Sequence, residues 1–221
     1  EDLGNIVGLE HINVTVPDQR LAILFYITGM GFTRDPYLMA GVFNMWVNIG
    51  RSQIHMPVTD PQVIRGHTGL VIPNLKSLVD RLELVRGGLA DTKFDFAKTN
   101  DGVSVICPWG NEFRVYEPNP RFGPAQLGVA YVEFNVPPGT ADGIGRFYRD
   151  IFEAAVSMES RTVARVSVGS YQEFVFRETE EDLPAYDGHH MQFYVGDFSG
   201  PHERLRERGL ITQESNQYQY R

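Results

Sequence analysis

The chain has 221 residues, a formal net charge of −8, 42% hydrophobic and 12% aromatic residues, and a single cysteine. This content supports packed cores and excludes a disordered chain, and the acidic balance opposes nucleic acid or an anionic membrane as partner. Cys107 alone cannot form an intrachain disulfide, no apolar run reaches membrane-spanning length and no secretory signal opens the chain, which together fit a cytoplasmic protein.

Residues 11–16 alternate polar His11, Asn13 and Thr15 with apolar Ile12, Val14 and Val16, the pattern of a strand buried on one face. Pro17 stops that strand and Asp18 offers a helix cap. Leu21, Leu24, Phe25 and Thr28 follow at helical spacing until Gly29 and Gly31. Strands are expected at 32–35, 42–49 and 52–56, which completes a β-α-β-β-β unit. Phe43, Met45 and Met39 read as filling a cavity or a domain interface.

A second unit repeats this order. Strand 67–72 leads into a helix capped by Asn74, with Leu75, Leu78, Val79 and Leu82 on one face and Gly87-Gly88 at its end. Strands follow at 93–97, 102–107 and 112–117, and Cys107 reads as a buried strand residue. The Pro- and Gly-rich segment 118–124 marks the domain boundary. A third unit spans 130–178 with the helix stripe Ile144, Phe147, Tyr148 and Ile151, and the acidic run 178–182 reads as a solvated loop. The fourth unit opens at Gly188-His189, and its helix is capped by Ser199 and ends near Gly209. It stops 12 residues past Gly209, whereas the second unit continues 30 residues past Gly87, so the last unit reads as truncated.

The halves are in register. Phe25-Tyr26 begins 14 residues after His11, as Phe147-Tyr148 does after Glu133. His67 lies 56 residues after His11, and His189 lies 56 after Glu133. Such self-similarity decides architecture before any single residue does. The expectation is an α+β fold of four β-α-β-β-β modules (9–57, 65–117, 130–178 and 187–221, the last incomplete). They are expected to pair in chain order, with 1–124 as one domain and 125–221 as the other.

Alternation puts His11, Asn13, Gln53, His55, His67, Glu112, Arg114 and Tyr116 on strand faces turned away from the helices. Two facing sheets would gather them into one cavity, the default place for a ligand. No dinucleotide fingerprint, P-loop or CxxC motif is present, so no nucleotide cofactor is expected.

The openings LEHINVTVPD and GHTGLVIPN, the helix end LFYITGMGF and the closing WGNEFRVYEP resemble the vicinal oxygen chelate superfamily, which includes glyoxalase I, extradiol dioxygenases and bleomycin resistance proteins. The resemblance covers essentially the whole chain. It implies a divalent metal (Fe, Mn, Zn, Ni or Cu) held by the first and last strands of two modules. Carried over by position, the ligands fall on His11, His55 and His67. The fourth position falls on Arg114, a permanent cation without an acceptor, so Glu112 on the same face would have to substitute. Arg114, Tyr116, Asn13 and Gln53 are then candidate substrate contacts. In the second half Glu133 stands for His11, Phe174 for His55 and His189 for His67, leaving Glu133 and His189 as a sparser metal pair. His190 points to the opposite face if its strand is regular.

The resemblance implies metal-dependent chemistry on a small molecule with vicinal oxygens, dioxygenase-like or lyase/isomerase-like. The alternative is a metal-free protein that sequesters a small molecule, with Arg114 facing an anionic ligand. A third possibility is a structural module whose cavities are filled by side chains. Either a monomer or a homodimer is compatible with internal pairing of modules.

Overall fold

The computed structural model describes residues 3–37 and 43–221. The first unit consists of β1 (Ile6–Asn13), α1 (Gln19–Ala22) continued by a π-helical turn over Ile23–Gly29, β2 (Thr33–Arg34), β3 (Asn44–Ile49) and β4 (Ser52–Pro57). Asp18 caps α1 as expected, accepting from the amides of Arg20 at 2.7 Å and Leu21 at 3.2 Å. The second unit is β5 (Gly66–Val71), α2 (Leu75–Arg86), β6 (Asp95–Lys98), β7 (Val103–Ile106) and β8 (Glu112–Tyr116). Asn74 caps α2 by accepting from the Ser77 amide at 2.9 Å.

The third unit is β9 (Gly128–Val136), α3 (Ala141–Phe152), β10 (Val156–Ser160), β11 (Val163–Gly169) and β12 (Gln172–Glu178). The fourth is β13 (His190–Val195), α4 (Ser199–Glu207) and a separate hairpin of β14 (Glu214–Asn216) and β15 (Gln219–Tyr220). Ser199 is the first residue of α4 rather than its cap. Phe198 holds the cap position, and Asp197 before it accepts from the amides of Ser199 at 3.0 Å and Gly200 at 3.3 Å. Of the early expectations, Met45 is in the core and Phe43 is exposed. Met39 and residue 42 lie outside the described residues.

The pairing of units differs from chain order. One sheet runs β13-β1-β4-β3-β2 and joins the first unit to the fourth. The other runs β10-β11-β12-β9-β5-β8-β7-β6 and joins the second to the third. At each seam the opening strands of two units lie antiparallel, β1 with β13 and β5 with β9. The eight-stranded sheet therefore crosses the expected boundary at 124/125. The physical reason is that all four opening strands carry similar edges, so periodicity leaves their choice of neighbour open. The connection from β8 to β9 passes over β5, so that β9 lies against β5 on the side opposite β8.

The first and second units, and the third and fourth, meet through their helices instead. The first helix packs on α2, and α3 packs on α4. Gly29 makes the first contact close, because a Cβ there would sit 3.1 Å from the Val85 side chain. Beside a smaller cluster of Val71, Tyr116, Phe122 and Ala130, a large core results, containing Ile12, Phe25, Leu82, Phe113, Val132 and Phe174. Cys107 is buried within it, and burial pushes its thiol up, away from nucleophilic use.

Candidate functional site

The helix contacts fix which residues are equivalent between units. Arg81 Nε donates to the Gly29 carbonyl at 3.3 Å, and Arg204 Nε donates to the Ile151 carbonyl at 2.7 Å. Gly29 follows His11 by 18 residues and Ile151 follows Glu133 by 18. Arg81 follows His67 by 14 residues, and Arg204 follows His190, not His189, by 14. By this helix contact the fourth unit is offset by one residue from the sequence alignment, and the ladders shift too, since His67 faces Glu133 whereas His11 faces Gln192. Strand register supplies the last-strand positions. Asn13 faces His55, Gly69 faces Arg114 and Asn135 faces Arg177, so Arg177 rather than Phe174 occupies the place of His55. Phe174 belongs to the core face.

At the β1/β13 seam these positions bring together His11, His55 and His190. The ring centres of His11 and His55 are 5.7 Å apart, and those of His11 and His190 are 6.2 Å apart. Asn13 lies opposite His190 in the ladder, and His11 lies opposite Gln192. Trp46 stacks on His55 at 3.9 Å and meets His11 edge-on at 4.8 Å. Burial, then the neighbouring His11 and His190, push the His55 imidazole down to about 4, and burial also lowers His190. His55 Nε2 is buried and has no hydrogen-bond partner. His11 Nδ1 is in contact with the Glu10 carboxylate. Gln53, on the same face, donates to Asn48 at 2.6 Å and to Asp35 at 3.0 Å.

At the β5/β9 seam the equivalent positions carry His67, Arg114, Glu133 and Arg177. Arg177 grips Glu133 through two contacts of 3.1 Å, Nε to Oε1 and Nη2 to Oε2. His67 Nδ1 lies 3.9 Å from the same carboxylate, and its Nε2 is 3.1 Å from the Tyr131 hydroxyl. That hydroxyl is 3.0 Å from the Tyr116 hydroxyl, and the Arg121 guanidinium covers the Tyr116 ring at 4.2 Å. Tyr131 lies across Gly69, where a Cβ would fall 2.1 Å from its ring. Burial lowers His67, with Arg114 the next cause, and burial pushes the Tyr131 phenol up. Arg114, half exposed, sits 3.5 Å from Glu112.

The expected ligand set is therefore divided. His11 and His55 are on one sheet, and His67 and Glu112 on the other. Arg114 and Tyr116 go with the second set, and Asn13 and Gln53 with the first. His189 is not in either seam cluster, because it precedes β13 and its Nδ1 pairs with Asp187 at 2.6 Å. The residue missed by sequence reasoning is His190. The adjacent histidines His189-His190 were the available signal, but the one-residue offset selected the wrong member. Among the described residues no three His, Cys, Asp or Glu side chains are drawn together as a finished metal site.

The two clusters differ as metal hosts. The first offers three imidazoles, of which burial lowers His55 and His190, and His55 carries a buried, unpartnered nitrogen. Two imidazoles on one tetrahedral ion have ring centres about 5 Å apart, given metal–nitrogen bonds near 2 Å, so the spacings of His11 from His55 and from His190 lie within roughly 1 Å of those two ligands on one ion would have. The second cluster does not fit. Its carboxylate is held by Arg177, His67 is engaged by Tyr131, and two guanidiniums occupy the last-strand positions.

No family model and no curated protein matches the sequence. Solved structures do. A candidate dioxygenase from Bacillus subtilis aligns over 93% of this chain and 76% of its own, with a TM-score of 0.62 at 13% identity. Glyoxalase I from Zea mays aligns over 94% of this chain and 83% of its own, with a TM-score of 0.57 at 13% identity. The chain shares its fold with these two structures. At this identity the likeness is one of fold, and chemistry has to be argued from the seams. Among the described residues no helix of this fold is long and apolar enough to cross a membrane.

Proposed function

We propose that the β1/β13 seam is the working site of a metal-dependent enzyme acting on a small molecule with adjacent oxygen atoms, and that His11, His55 and His190 hold the metal. The observation that carries this reading is the buried His55 Nε2 without a partner among three imidazoles. A buried polar atom left unpaired costs about 1–3 kcal/mol, and a ligand for it removes that cost. The low His55 value supports the same reading, because a metal ligand must be neutral. Held by His11, His55 and His190, a divalent ion would supply Lewis-acid polarisation of substrate oxygens.

The chain's own groups prepare the site. Trp46 fixes the His55 ring by stacking on it and offers an aromatic wall to a substrate. Gln53 is held by Asn48 and Asp35, which orients its amide on the same face. Asn13 is buried beside the histidines. Arg114 and Tyr116 sit on the other sheet and take no part in this reading.

Elemental analysis of tag-free, dialysed protein tests it. About one equivalent of Fe, Mn, Ni, Zn or Cu per chain is expected, and it should be lost in His190→Ala but kept in His67→Ala. Protein that stays metal-free after reconstitution under reducing conditions overturns the reading. A metal-free protein that binds a small molecule is then the second reading. It is favoured by the observation that no three donors among the described residues are already drawn together.

A further inference from the structure

We propose that Glu10 is a positioning residue for His11. Its carboxylate accepts the Nδ1 proton of His11 and so leaves Nε2 as the free donor of the histidine cluster. This inference rests on the metal site proposed above. The local backbone produces the contact. Neighbouring residues of a regular strand point to opposite faces, so Glu10 and His11 should not meet. β1 is not regular at this point. Leu9 faces Phe193 and His11 faces Gln192, so two steps on β1 match one step on β13. Glu10 is the extra residue of a bulge, a device that re-aims a side chain at the cost of one ladder position.

The environment supports a dedicated role. The Glu10 side chain is 16% exposed and that of His11 6%. A carboxylate this far from water needs a partner. Its ion-pair partner is His11, and after burial its charge is the second cause that raises the Tyr194 phenol. The device is particular to this seam. Val132, the residue before Glu133, is buried and apolar, and Gly66 precedes His67 without a side chain. His190 is preceded by His189, which Asp187 engages. Of the two seam histidines whose Nδ1 contacts are recorded, His11 faces a carboxylate, whereas His190 Nδ1 faces the Gly188 carbonyl at 3.4 Å. A carboxylate behind a ligating imidazole fixes its tautomer and raises its basicity, and its removal typically costs 10–100-fold in metal affinity.

Two measurements on wild type, Glu10→Gln and Glu10→Ala test the proposal, with circular dichroism confirming that each variant is folded. The first uses long-range ¹H–¹⁵N correlation spectra of metal-free, ¹⁵N-labelled protein to read the His11 tautomer. Wild type should show the proton on Nδ1, and both variants a mixture or the Nε2–H form. The second is a Co(II) titration followed by absorption. Roughly 10–100-fold weaker binding is expected in both variants. An Nε2–H tautomer in wild type, or variants that bind Co(II) as tightly as wild type, overturns the role of Glu10. Wild type that binds no Co(II) overturns the metal site itself, and the tautomer spectrum still decides whether Glu10 orients His11.

Discussion

The two seams are built from equivalent strands and have been filled in opposite ways. At β1/β13 the equivalent positions hold three histidines, one with a nitrogen that nothing in the chain satisfies. At β5/β9 they hold a histidine, a glutamate and two arginines, and every buried group there is engaged. Arg177 closes on Glu133, Tyr131 on His67, and Tyr116 on Tyr131. The difference teaches that a duplicated site can keep its backbone and exchange its chemistry. A guanidinium at a last-strand position removes a metal donor and at the same time supplies the cation that a buried carboxylate needs. The first seam keeps one unsatisfied nitrogen, which is an unfavourable state for a purely structural interface and a useful one for a binding site.

This contrast can be broken by substitution. The largest expected effect is on metal binding. His55→Ala should weaken Co(II) or Zn(II) binding at least ~100-fold, since a tridentate set becomes bidentate, while Arg177→Ala leaves it unchanged in an isothermal titration. Equal losses in both variants would show that the seams are not functionally distinct.

Next is stability. Gly69→Ala places a Cβ 2.1 Å from the Tyr131 ring and forces it off β5. Urea unfolding should report a loss of about 1–3 kcal/mol, the usual range for overpacking. Unchanged stability would mean that Tyr131 does not fill the second seam.

A pH prediction follows from the first seam. Metal-free protein should lose stability as pH falls. His55 is depressed from its ordinary 6.5 to about 4, so between these values the unfolded chain binds a proton that the folded chain refuses. That stability is fully present above about 6.5 and lost as pH falls toward about 4. Thermal melts should show the loss, and His55→Gln should flatten it. His67 and His190 are depressed too, so a residual slope is expected. A slope identical to wild type would show that His55 does not titrate as described.

The smallest effect concerns one hydroxyl. Tyr131→Phe removes the group shared by His67 and Tyr116 and should cost about 1 kcal/mol, the net worth of a typical internal hydrogen bond. No change in the urea midpoint would show that the second seam is held by packing alone.

The sequence by itself determined the modular architecture. Alternating strands, helix caps at Asp18 and Asn74, and the repeat linking His11 to Glu133 are local signals, and local periodicity reports which face of an element is buried. It also marked His11 and His55 as neighbours on one face, because both belong to one unit. Only the tertiary structure decided which units share a sheet, because strand edges that look alike in sequence compete for the same partners. That choice removed His67 and Glu112 from the first cluster and brought in His190. Two register details did the rest. A one-residue offset in the fourth unit chose His190 over His189, and a bulge in β1 turned Glu10 toward His11. Since a one-residue shift changes which face a side chain occupies, such details decide a site and leave almost no trace in composition or spacing.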